Sequence, residues 1–247
     1  MCDTCGCGLP EEAKNQAHEH NHDPRHTHRE EAVLYRNLLA ANEAQARENR
    51  AHLMEHGVLA VNLMSSPGAG KTSLIEAVAG SLAGKLRVGV IEGDLATDRD
   101  AERIKALGFP VWQITTGSTC HLDAAMVHEA LHHLPLGSIE LLFVENVGNL
   151  VCPGLYDLGC HLNGVLLSVT EGDDKVAKYP VIFGHAQFFC ITKWDLLPYV
   201  TFDAAKPQRE ARILKGDLKT FSLSAKSGEG VSSFLNYLLA ERAALTA

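Results

Sequence analysis

With 247 residues, 46% hydrophobic and 21% charged, the chain has material for one α/β domain and an appendage. A formal net charge of −8 with no dense cluster of Lys and Arg argues against a nucleic-acid partner, and no apolar run approaches the ~20 residues that span a bilayer. The polar, cysteine-bearing start lacks a signal-peptide core, so the expectation is a soluble cytoplasmic protein whose seven cysteines stay reduced.

Cys2, Cys5 and Cys7 stand in a glycine-rich polar segment with too few apolar residues to fold alone. Three thiols at that density, in a reducing compartment, point to a soft transition-metal site. The N-terminal amine or a backbone nitrogen as fourth donor would suit square-planar Ni²⁺ better than tetrahedral Zn²⁺. His18, His20, His22, His26 and His28 follow among polar residues, the composition of a disordered metal-buffering tract, so residues 1–29 are read as a metal-binding tail. Residues 30–56 carry a helical period, with Leu34, Leu38, Ala41, Gln45 and Leu53 near one face and Gly57 as a stop. Residues 57–247 form the remaining domain.

That domain opens with an apolar run at 58–64, the loop SSPGAGKTS at 65–73, and a helical stretch at 72–83. This is the strand, loop and helix context of a phosphate-binding loop, although Ser65 replaces the first glycine of G-x-x-x-x-G-K-[ST]. Backbone N–H groups from Gly68, Ala69 and Gly70 onward converge on an anion, Lys71 adds a point charge, Thr72 offers a hydroxyl to Mg²⁺, and Ser73 closes the loop. Further β-rich runs fall at 86–91, 111–115, 141–145, 165–169, 188–192 and 220–223, most of them separated by helical segments. The pattern predicts an α/β P-loop NTPase with a mostly parallel sheet covered by helices on both faces.

Ligands of such sheets sit beyond the carboxyl ends of the strands, where Asp94, Glu145, Asp195 and Ser224-Ala225-Lys226 all lie. Asp94 and Glu145 are placed to hold Mg²⁺, and Gly148 to give a backbone N–H to a γ-phosphate. Asp195 accepts two hydrogen bonds from the N1–H and amine of guanine, while adenine would leave it unpaired. Lys193 covers the purine with its stem, and the 224–226 backbone reaches the guanine carbonyl. Cys120-His121 and Cys152 form a second candidate metal site. Neighbouring Cys and His side chains on a regular helix do not readily share one ion, which favours completion by a second protomer. Cys160 and Cys190 are read as core, and His128, His132, His133, His161 and His185 carry no ligand assignment.

Taken together, the cysteine terminus, SSPGAGKT, EGD at 92–94, TCHLDA at 119–124, ENVGNLVCP at 145–153 and TKWDLLP at 192–198 resemble the HypB family of P-loop GTPases. Thr192 stands where the family of GTPase base motifs has the asparagine that braces this loop to the phosphate loop. The resemblance implies a GTP-dependent homodimer that cleaves GTP to GDP and helps insert nickel into [NiFe] hydrogenase. It implies Lys71, Asp94 and Glu145 as catalytic residues, and Mg²⁺ at Thr72, Asp94 and Glu145. Nickel or zinc would sit at Cys120, His121 and Cys152, and nickel at Cys2, Cys5 and Cys7. A HypA-type nickel accessory protein and the hydrogenase large subunit are the implied partners.

Overall fold

A computed structural model describes residues 24–246 apart from 83 and 97, with side chains from Val33 onward. The order is α1 (Pro24–Glu55), β1 (Leu59–Ser65), α2 (Lys71–Leu82), β2 (Val88–Asp94), α3 (Arg99–Ala106), β3 (Val111–Thr115) and α4 (Ala124–His133). Then come β4 (Leu141–Glu145), β5 (Leu162–Ser168), α5 (Lys175–Lys178), α6 (Pro180–His185), β6 (Phe188–Thr192), α7 (Ala205–Leu214), β7 (Lys219–Ser222) and α8 (Val231–Leu245). Contacts divide the chain into units 1–38 and 39–247. Among described residues the first holds the beginning of α1, and the second holds everything from Leu39 onward.

The sheet is wholly parallel, ordered β3-β2-β4-β1-β5-β6-β7. Alternate residues of its central strands enter opposite cores, as the two-residue strand period requires. Leu141 and Phe143 of β4 pack on one face with Leu74, Ile75 and Val78 of α2 and Phe234 of α8. Leu142 and Val144 pack on the other with Leu53 of α1 and Val127 and Leu131 of α4. Burying each of these large side chains contributes about 1.5–3 kcal/mol, which makes two-sided coverage the main source of stability.

Because the chain runs from β1 towards β2 on one side and reaches β5 on the other, β1 sits at the topological switch point. A crevice opens there at the strands' carboxyl ends. Two boundaries differ from the sequence expectation. β2 continues past its apolar run to Asp94, because the ladders Glu92↔Glu145 and Asp94↔Thr115 extend the pairing. α1 begins at Pro24, before the expected start at residue 30; proline has no N–H to lose in a first helical turn.

Close packing shows at Gly164 on β5, where a Cβ would come within 2.0 Å of the Phe188 ring. Phe188 is fully buried and its ring is held by Phe234 and Tyr237 at centroid distances of 5.0 and 5.9 Å, so it has little room to yield. Gly164→Ala is expected to cost about 1–3 kcal/mol. Urea unfolding should show a lower midpoint at unchanged slope; an unchanged midpoint would mean the Phe188 site is looser than described.

Candidate functional site

β1 ends at Ser65 and α2 begins at Lys71, so the intervening residues turn across the carboxyl edge of the sheet. Gly68 and Gly70 have φ of +74° and +96°, a region that disfavours other residues. Open space surrounds both Cβ positions, so the backbone, not crowding, demands glycine there. Gly68, Gly70, Lys71 and Thr72 line a cavity of about 440 Å³, with the amino end of the 12-residue α2 at its wall. That end is an anion-binding feature by its unpaired N–H groups and dipole.

Lys71 and Thr72 are 8% and 7% exposed, held in the cavity wall. The Lys71 ammonium donates to Ser65 Oγ at 3.2 Å and lies 3.8 Å from Glu145, while the Thr72 hydroxyl donates to Glu145 Oε1 at 3.0 Å. Ser65, the departure from the loop pattern, thus supports the loop's lysine. Asp94 lines the same cavity, its Oδ1 accepting the Ala96 N–H at 2.9 Å.

Two acids that sequence reasoning left out of the site gather around Glu145. Carboxylate oxygens of Glu92, Asp100 and Glu145 all lie within 4.8 Å of one another. Burial, then the charge and hydrogen bond of Glu145, push the Glu92 carboxyl far up. Glu145 is also raised, chiefly by burial and against the pull of Lys71. One oxygen of each, Glu92 Oε2 and Glu145 Oε2, is buried without a hydrogen-bond partner. Buried acids with spare oxygens fit a hard divalent cation such as Mg²⁺, which takes carboxylate and hydroxyl oxygens. A glutamate two residues before Asp94 inside an apolar strand was the available signal for Glu92. Asp100 had none, because its approach comes from tertiary packing.

A second cavity of about 250 Å³ is lined by Thr192, Lys193, Asp195, Ser224, Ala225 and Lys226, with Ala69 and Ser73 of the phosphate loop on its other side. Lys193 has φ of +54°, alone among described non-glycine residues in that region. Asp195 Oδ1 accepts the Ser224 hydroxyl at 2.6 Å, which fixes the carboxylate plane. Thr192 donates its hydroxyl to the Ala69 carbonyl at 2.6 Å. The brace that asparagine supplies in related motifs is therefore made by threonine here.

Cys120, His121 and Cys152 also come together, with ligand atoms within 4.8 Å of one another and the two sulfurs 3.2 Å apart. The expectation that adjacent Cys and His would diverge on a helix is corrected: α4 starts only at Ala124, capped by Asp123, and the pair sits in the loop before it. Three donors meet within one chain. His121 stacks on Tyr156 at 4.1 Å, and its buried Nδ1 has no hydrogen-bond partner. Burial lowers the His121 pKa, keeping the imidazole neutral, while the hydrogen bond with Cys120 and burial raise the Cys152 thiol. Such donors fit a thiophilic cation that displaces the thiol protons.

Asn146, which sequence reasoning passed over, joins the two regions. It is 1% exposed, and its Oδ1 accepts from the N–H groups of Leu122 at 3.2 Å and Val147 at 3.0 Å. Asn149 in turn donates to the Cys120 carbonyl at 3.3 Å. At Gly148 a Cβ would meet Pro67 Cα at 2.9 Å, so this segment packs directly on the phosphate loop. Cys160 and Cys190 are buried, as expected for core. Cys2, Cys5, Cys7 and the histidine tract lie outside the residues whose side chains are described.

The raised carboxyls have a consequence for stability. A folded pKa above the unfolded one means that the folded state holds the proton more tightly, so stability declines as pH rises above the ordinary carboxylate range. Glu92→Gln keeps the shape and removes the ionisation. Without nucleotide or divalent cation it should raise the melting temperature at pH 8 by about 2–4 °C and flatten its fall between pH 5 and 8. A melting temperature unchanged or lowered at pH 8 would remove the carboxylate pair as a source of strain.

Residues 59–222 match the family described as CobW/HypB/UreG, nucleotide-binding domain. The chain is 42% identical to the hydrogenase maturation factor HypB of Cupriavidus necator, over 85% of this chain and 70% of that protein. It is 45% identical to the Escherichia coli K12 protein of the same name, over 84% and 71%. Among solved structures, HypB from Helicobacter pylori in complex with nickel superposes with a TM-score of 0.79 at 40% identity, over 82% of this chain and 95% of that one. The hydrogenase maturation factor HypB from Archaeoglobus fulgidus gives 0.78 at 37% identity, over 83% and 100%. With that agreement over most of its length, the chain belongs to the HypB family of CobW/HypB/UreG nucleotide-binding proteins.

Proposed function

We propose that this chain is a cytoplasmic GTPase that carries nickel for [NiFe] hydrogenase maturation and whose nucleotide state sets its hold on the metal. The observation that carries the reading is the run from Glu145 to Cys152: it begins beside Lys71 and Thr72, packs on Pro67 through Gly148, and ends at the Cys120–Cys152 thiol pair. Support for the cellular role comes from the relatives, which are hydrogenase maturation factors, and from the Helicobacter pylori structure, which is a complex with nickel.

In this reading the phosphate loop's N–H groups and Lys71 take the β- and γ-phosphates. Asp195, oriented by Ser224, accepts the guanine N1–H and amine, while Lys193 lies over the base. A Mg²⁺ ion would be held by Thr72, Asp94 and Glu145, with Glu92 and Asp100 completing its acidic surroundings, and would neutralise charge on the transferring phosphoryl group. Asp94 and Glu145 orient the attacking water, and Gly148 donates its N–H to the γ-phosphate. Phosphoryl transfer asks for positioning and charge neutralisation, and these residues provide both. Loss of the γ-phosphate releases Gly148, and Asn146 passes the shift to the loop that carries Cys120 and His121.

Nickel at Cys120, His121 and Cys152, or zinc in its place, is the cargo; Cys2, Cys5 and Cys7 form a second nickel site. A two-fold related copy supplies further donors in a GTP-dependent homodimer. A HypA-type accessory protein and the hydrogenase large subunit receive the metal. In the test, phosphate release is followed in wild type and Cys152→Ser, each with and without one equivalent of Ni²⁺ above that taken by the amino-terminal cysteines. Nickel should change wild-type kcat at least about twofold and leave the variant's unchanged. Equal responses in both proteins would break the link between Cys152 and turnover.

A further inference from the structure

Away from both sites, four histidines of the second unit gather: His52 in the last turn of α1 and His56 in the turn that follows it, and His128 and His132 one turn apart on α4. The imidazoles form one continuous group. Ring centroids lie 4.9 Å apart for His52 and His56, 5.5 Å for His52 and His132, and 4.7 Å for His128 and His132.

The nitrogens are prepared for coordination. His128 Nε2 and His132 Nε2 are 3.2 Å apart. Two nitrogens at 2.0–2.1 Å from one tetrahedral ion would be about 3.3 Å apart, so this spacing is already that of a chelating pair. The tautomer of His128 is set from beneath. Asn49 is fully buried and spends its amide N–H groups on the carbonyls of Ala124 at 2.8 Å and Leu158 at 3.0 Å, so its oxygen faces His128 Nδ1 at 2.9 Å as acceptor. Nδ1 therefore carries the proton, and Nε2 keeps its lone pair. The same holds for His56, whose Nδ1 lies 3.0 Å from the His52 carbonyl and must donate to it. A ring nitrogen bonded to a fixed acceptor, with the other turned outward, is the usual support of a metal-ligating histidine.

We propose that His128 and His132, joined by His52, form a third metal site, one that binds a divalent transition ion of the imidazole-preferring class such as Zn²⁺ or Ni²⁺. Among described residues the donor sets already gathered in threes are the thiol and carboxylate sets. Here two donors are in place, and the third comes by rotation of the His52 side chain, with His56 next to it as a fourth. Binding replaces the His132–His128 hydrogen bond: the proton on His132 Nε2 moves by exchange with solvent to its Nδ1, so both rings stay neutral and both Nε2 lone pairs face the ion. The site is independent of the nucleotide reading, because it shares no residue with either cavity described above.

The test uses the full chain with Cys2, Cys5, Cys7, Cys120 and Cys152 replaced by serine and the five tract histidines by alanine, in excess Mg²⁺. Zn²⁺ is the probe, titrated against a chromogenic chelator. One ion per chain is expected, with X-ray absorption showing two or three imidazole nitrogens. Adding His128→Ala and His132→Ala should weaken it by at least about tenfold. His132→Gln alone gives the milder variant should the double change impair folding, and it should remove one imidazole from the absorption signal. No bound ion, an oxygen-only shell, or an affinity indifferent to both variants would overturn the proposal.

Discussion

Glu145 belongs to two structures at once, and the remainder of the molecule is arranged around that fact. Its carboxylate accepts the Thr72 hydroxyl and faces Lys71, while its backbone leaves β4 through Asn146 and Gly148 towards Cys152. Pairing with β1 through Leu63↔Glu145 and with β2 through Glu92↔Glu145 anchors the start of this run at the sheet's centre. Asn146 then ties it to Leu122. In the proposed coupling a displacement at the phosphate end travels through these contacts, since hydrogen-bonded elements move between discrete arrangements.

Electrostatics gives the phosphate end its directionality. Glu92 and Glu145 are 2% and 4% exposed; Arg103 pairs with Asp100 at 2.8 Å, which leaves the Lys71 ammonium, 3.8 Å from Glu145, facing the two buried glutamates. Two buried carboxylates in contact cannot both ionise cheaply, so the site favours a proton or a cation. The other end gathers softer atoms: the Cys120 and Cys152 sulfurs in contact, beside the buried His121 Nδ1 that has no hydrogen-bond partner. Hard oxygens at one end and soft sulfur and nitrogen at the other suit different classes of cation.

Much of this was legible in the sequence because it rests on local rules. Phosphate-loop glycines, the Lys-Thr pair, the strand-end acids and the base motif are fixed by short-range spacing, and the strand periods point to the sheet. What stayed hidden depends on neighbours far along the chain. Glu92 and Asp100 meet Glu145 only through the β2–β4 pairing and the placement of α3. Asn146 looks like any loop asparagine until Leu122 is laid against it. The Cys120-His121 pair reads as helical in sequence, yet it lies in a loop because Asp123 starts α4 later. His52 and His56 at the close of α1, and His128 and His132 on α4, gain meaning only when the end of α1 is laid beside α4.

The central claim is that phosphate and nickel act on one stretch of backbone. It is tested most directly by measuring Ni²⁺ affinity at the Cys120 site, by competition with a chelator, in protein whose Cys2, Cys5 and Cys7 are serine, once with GDP and once with a non-hydrolysable GTP analogue. Linkage requires a difference, and at least about fivefold is expected, matched by an equal shift of the two nucleotides' relative affinities when nickel is present. Identical nickel affinities in the two nucleotide states would contradict the account.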